Sequence, residues 1–197
     1  MVKKNVKGFA VMVFRKILLV TLVLSCLIVI PGFALVFAAR DLAKPLHAVY
    51  QAGKMNPVIL EWMRNNSGMP EEILSEVYRA AVRNGNADLI LAICMVESNF
   101  NPKAKSKQGA IGLMGISPWA WLDELKAQGI VREKQDLYQI SENIASGAYV
   151  LQKYLSRGKT LEKALIDYVG GDPEYARKVM KALGELYLAK WAMPDSA

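Results

Sequence analysis

The chain opens with a long apolar block and then changes rhythm. From Ile17 to Ala39 no charge appears over 23 residues, enough for a helix to cross a hydrocarbon core of about 30 Å. Asp41–Gln51 and Pro57–Met63 show modest helical patterning, and "RNNSGMP" from Arg64 to Pro70 is turn material, so residues 40–69 read as a tether. Beyond Pro70 the apolar positions recur at helical spacing. "PEEILSEVYRAAVRNG" starts on a proline and two acids and stops at Gly85, as a helix does. Asn86 supplies a cap for the next helix, which Pro102 bounds. Pro118–Gln128 follows, with Trp119, Trp121 and Leu122 as core or cleft wall. Ser141 is expected to cap Glu142–Arg157, whose Ile144, Gly147, Leu151 and Leu155 share a face, with Gly147 allowing close approach. Thr160–Val169 and a helix opening at Asp172-Pro173, with Asp172 as cap, complete a mainly α domain over residues 70–191, leaving 192–197 as a tail.

Charge alters the picture less than its total suggests. The net charge is +7, but five of the 25 Lys and Arg (Lys3, Lys4, Lys7, Arg15 and Lys16) precede Ile17 with no acid among them. The remaining 20 nearly balance the 18 acids, so no nucleic-acid partner is expected. The leading cations instead predict a cytoplasmic N-terminus and export of everything after Arg40. Residues 17–39 are read as a transmembrane or signal helix. Retention as an anchor is favoured over cleavage after Val36-Phe37-Ala38 and over lipidation at Cys26. Cys26 and Cys94 fall in separate apolar segments and are not expected to pair. The lone His47 has no ligand partner at metal-binding spacing. Neither metal nor cofactor is expected.

One acid breaks the pattern. Leu89 to Val96 is uninterruptedly apolar, and Glu97 then falls on the same helical face as Ile90 and Cys94. An acid in the last turn of a buried helix is disfavoured in its ionised form by the helix dipole and by burial. Both raise its pKa, which suits a proton donor near neutrality. A buried structural Glu paired with a cation is the competing reading. Gly109, Gly112 and Gly115 follow, interleaved with Ala110, Ile111, Leu113, Met114 and Ile116, which describes a packed loop where a ligand can approach the backbone.

The stretch "ESNFNPKAKSKQGAIGLMGISP" resembles the signature of the lytic transglycosylases with a soluble-lytic-transglycosylase, goose-lysozyme-like domain. The similarity continues through Asn143-Ile144 with Gly147 and Leu151, then Ala164-Leu165 with Tyr168, and ends near Tyr175 and Val179. The resemblance implies a lysozyme-like helical domain with a saccharide cleft and a peptidoglycan glycan strand as partner. Glu97 would be the sole catalytic acid and base, cleaving the β-1,4 bond between N-acetylmuramic acid and N-acetylglucosamine to leave a 1,6-anhydromuramyl end. Ser98, Gly112, Leu113, Met114, Gly115, Ile116 and Tyr168 would bind substrate, with Tyr168 reaching toward Glu97. With the apolar span, the implied location is a bacterial inner membrane, the domain facing the periplasm. Whether secretion or other envelope machinery is a partner stays open.

Two positions depart from the family pattern. Gly115 stands where a Gln is usual and Val169 where an Asn is usual. Restoring either group is expected to alter rate only modestly. A peptidoglycan-binding scaffold without activity is one alternative. A hydrolytic muramidase is another, and it would need a second acid, for which Asp123, Glu124 and Asp167 are candidates by chain position. Lys103, Lys105 and Lys107 either attract the anionic wall polymer or form an ordinary solvated loop.

Overall fold

The computed structural model describes residues 55–192. The apolar span 17–39, His47, the Asp41–Gln51 helix and the last five residues lie outside that range. Among the described residues no helix is long and apolar enough to cross a membrane.

The described part is built from α-helices: α1 (Pro57–Asn65), α2 (Glu71–Arg83), α3 (Ala87–Ser98), α4 (Pro118–Ala127), α5 (Ile140–Leu155), α6 (Leu161–Tyr168) and α7 (Pro173–Ala192). Its only extended pairings are the isolated bridges Lys105–Ile111 and Ile111–Ile116. Helix α3 is the axis. Leu89 to Cys94 are all buried, as a helix apolar on every side must be, and α3 packs most extensively on α7 and α2. Asn86 caps it by accepting the Leu89 amide at 3.2 Å. Lys190 of α7 pairs with Asp88 at its N-terminal end, 2.9 Å away.

The expected boundaries hold in several places. Thr160 accepts the Lys163 amide and Asp172 accepts the Glu174 amide at 2.9 Å, each opening its helix. Gly147 does serve close approach, with the Met114 side chain lying where its Cβ would be.

Elsewhere the fold differs from expectation. Residues 57–65 are not tether: Ile59, Trp62 and Met63 are buried in the core, and α1 packs on α7 and α2. The folded body therefore begins before Pro70. Trp119, expected as core or cleft wall, is 96% exposed. Helix α5 starts at Ile140 after Gln139, and the Ser141 hydroxyl bonds Glu142 instead of capping. A short 3-10 helix, Lys134–Tyr138, precedes it. There Asp136 accepts the Arg132 amide at 2.8 Å.

Candidate active site

Helix α3 ends in an unusual way. Asn99 and Phe100 both take left-handed backbone conformations, φ 50° and 62°, which cost free energy in residues other than glycine. Tertiary contacts compensate. Phe100 is fully buried and meets Trp62 edge-on at 5.8 Å, while the Asn99 amide donates to the Asn66 carbonyl at 3.2 Å. This sharp turn leaves Glu97 and Ser98 facing the glycine-bearing loop that the chain forms next.

That loop is stitched to three helices. Ile111 and Ile116 exchange backbone hydrogen bonds of 2.8 and 2.9 Å, and the Gly112 amide donates to the Ala104 carbonyl at 2.9 Å. The buried Asn143 of α5 accepts the Met114 amide at 2.8 Å and donates to the carbonyls of Ile111 and Leu137 at 3.0 and 2.6 Å. The Ser98 hydroxyl lies 2.9 Å from both the Cys94 and Leu113 carbonyls, tying the end of α3 to the loop. The Tyr168 hydroxyl of α6 donates to the Met114 carbonyl at 2.8 Å.

Glu97 sits at the centre of this frame. Its carboxyl lies in the space a Cβ on Gly115 would fill, with Oε2 2.3 Å and Cδ 2.6 Å from the ideal Cβ position. Burial raises its pKa to about 7, and the neighbouring Tyr175 hydroxyl opposes this weakly. That hydroxyl is buried and makes no hydrogen bond within normal geometry, so burial wins. Tyr175 stacks on Tyr168 with ring centroids 6.3 Å apart. Burial and the Glu97 charge push both phenols well above their ordinary range. The same two causes act on the buried Cys94 thiol, which stays protonated and inert. An acid that holds its proton near neutrality, with no cation against it among the described residues, can donate that proton and take one back.

The residues expected at the site converge, but in different capacities. Glu97, Ser98, Gly112, Gly115 and Tyr168 gather around the loop. Leu113, Met114 and Ile116 lie in the core with exposures of 0, 0 and 2%, so they support the loop from beneath and offer a ligand no surface of their own. Tyr168 spends its hydroxyl on Met114, and it is Tyr175 that faces the acid. Gly115 is also more than a missing amide, since a side chain there would require the Glu97 carboxyl to shift. Two contributors carried little signal of their own. Asn143 is a polar residue inside an apolar helical stripe, and Tyr175 lies far along the chain in a helix with several aromatic residues. The second-acid candidates are engaged elsewhere or in solvent. Glu124 binds Lys153 and Tyr149, Asp167 binds Lys159, and Asp123 is exposed. Lys103, Lys105 and Lys107 are exposed as well. Among the described residues no group of acids, His and Cys is arranged to hold a metal.

Comparison with known proteins places this arrangement in a family. Residues 77–185 match the transglycosylase SLT domain, and the chain belongs to that family. It is also 31% identical over 123 residues to a protein named "Transglycosylase" from Enterobacteria phage PRD1. The match covers 57% of this chain and 43% of the phage protein, so the chain spans less than half the length of the relative it matches.

Proposed function

We propose that the protein is a peptidoglycan lytic transglycosylase that uses Glu97 as its sole acid and base. The observation that carries this reading is a half-buried carboxyl, its pKa raised to about 7, seated against Gly115 of the loop in a transglycosylase-family domain. Protonated Glu97 gives its proton to the glycosidic oxygen as the bond from that oxygen to muramyl C1 breaks. The resulting carboxylate then takes the proton of the muramyl C6 hydroxyl as O6 bonds to C1. The products are a 1,6-anhydromuramyl end and a free N-acetylglucosamine hydroxyl, and no water is consumed. One carboxyl suffices because the nucleophile belongs to the substrate, whereas most glycosidases use two acids. The engagement of Glu124 and Asp167 with lysines favours this route over a hydrolytic one. Gly115, the partly exposed point of the loop, and the Ser98 and Tyr168 side chains shape the wall against which the strand lies, with residues 112–114 and Ile116 supporting it from the core.

Mass spectrometry of fragments released from purified peptidoglycan tests the proposal. Anhydromuropeptides are the expected product. Reducing-end muropeptides would identify a hydrolase, and binding without release would identify a scaffold. We also propose that residues 17–39 hold the chain in a bacterial inner membrane with the domain in the periplasm, on the strength of the five cations before Ile17. A reporter fused after Ala197 should then be active only outside the cytoplasm.

A further inference from the structure

We propose that Gly115 is a positioning residue for Glu97: the side chain it lacks leaves the notch in which the acid's carboxyl is seated. This rests on the catalytic reading of Glu97 and adds what determines where its carboxyl points. Three observations support it.

The fit is direct. A Cβ on Gly115 would lie 2.3 Å from Oε2, 2.6 Å from Cδ and 3.2 Å from Oε1 of Glu97, so the carboxyl fills the position of the missing atom. The atoms in the way are the far end of a flexible side chain. A substitution at 115 therefore displaces the acid rather than breaking the fold. Gly112, three residues earlier, is different: a Cβ there would meet the Asn143 amide at 2.1 Å and the Leu137 carbonyl at 2.5 Å, which are fixed parts of the loop clamp.

The conformation at Gly115, φ +60°, already favours glycine, and the carboxyl beside it gives the missing side chain a second consequence. Gly129 has a similar φ of +68° with nothing within 4 Å of its Cβ position. Backbone freedom accounts for Gly129, whereas Gly115 has a neighbour as well.

The remaining surroundings hold no charge partner for the carboxyl among the described residues. The titratable groups facing it are Cys94 of its own helix, Tyr168 of α6 and Tyr175 of α7. Cys94 and Tyr175 are buried and Tyr168 is half-buried; all three are neutral, and none is a cation that would capture a displaced carboxylate. An acid pushed from the notch moves toward water, where its proton is lost at lower pH. Gly115, one of the two departures from the family pattern, thereby keeps Glu97 in its proton-holding position.

The test is a ¹³C-carboxyl NMR titration of Glu97 in the purified chain, for wild type, Gly115→Ala and the strain control Gly129→Ala. In Gly115→Ala the midpoint should fall from about 7 toward the ordinary carboxylate range, and the alkaline limb of the pH–rate profile should move with it. Gly129→Ala should leave the midpoint in place. Should alanine at φ +60° prevent folding, Gly115→Asn brings the same Cβ on a residue that tolerates this conformation, and the same fall is expected. An unmoved midpoint in a folded Gly115 variant would overturn the proposal. A midpoint that falls in a protein releasing no anhydromuropeptides would sink the catalytic reading and leave the notch standing.

Discussion

Glu97 and Glu124 are the same side chain in opposite surroundings. Glu97 ends a buried helix and lies against Gly115 of the loop, and the titratable groups facing it among the described residues are two phenols and a thiol. Glu124 lies on the outer part of α4, with the Lys153 ammonium and Tyr149 hydroxyl upon it, and its pKa is lowered, first by the Lys153 hydrogen bond. One acid is poised to hold a proton at neutrality and the other is not. The difference lies in the partners that the fold supplies. A carboxyl becomes a proton donor when burial is left uncompensated, and becomes a structural anion when a cation meets it.

The largest effect should come from removing the acid. Glu97→Gln keeps the shape but cannot donate the proton, so release of anhydromuropeptides should fall by at least about 10²–10⁴-fold. A variant with a third of wild-type rate would end the contrast between the two acids. Asn143→Ala should come next, because it strips the partner from the Met114 amide and from the Ile111 and Leu137 carbonyls. Denaturant melts should show a loss of roughly 3 kcal/mol. In whatever fraction stays folded, Glu97 should titrate closer to Glu124.

The stability of Glu97→Gln sharpens the comparison further. A carboxyl whose folded pKa exceeds its unfolded one loses stability as pH rises from about 4.5 to about 7, because the unfolded chain releases its proton first. Wild type therefore carries a penalty above pH 7 of at most about 3 kcal/mol, and the amide does not. The variant should gain in melting temperature relative to wild type between pH 4 and pH 8. A relative loss over that range would indicate a structural Glu with a hidden cation. The smallest effect belongs to Glu124→Gln, which should leave the rate and its pH profile unchanged.

The acid was legible because helical periodicity is local. The register of Leu89 to Cys94 puts residue 97 on the buried side, and glycines and prolines mark the loop without reference to anything distant. The same holds for the Asn86 and Asp172 caps and for the helix start at Thr160. What was not legible depends on contacts across the chain. Helix α1 looked like tether because its few apolar residues gain their burial only from distant elements, as Trp62 does from Phe100, 38 positions on. Trp119 looked like core because an indole is usually covered, yet it sits on the outer side of the first turn of α4. Helix α5 begins at Ile140 because the preceding 3-10 turn delivers the chain there, and a serine one position on does not decide the start. Gly115 read as a lost amide because its meaning depends on a carboxyl 18 residues away.

The clamp around the loop also determines how slowly its protons leave. Residues 111–116 contain no regular helix or strand beyond the two isolated bridges at Ile111, and a segment of that description ordinarily exchanges its amide hydrogens with solvent quickly. Here the Met114 amide is held by Asn143, and those of Ile111 and Ile116 are held by each other. In deuterium these three hydrogens should persist on the timescale of the centre of α3, because releasing them requires the loop to part from α5 at Met114 and to open its own buried bridge at Ile111 and Ile116. The slowest-exchanging amides of the protein would then include a loop beside the proposed catalytic acid, so that the region handling substrate protons most rapidly holds its own backbone protons longest.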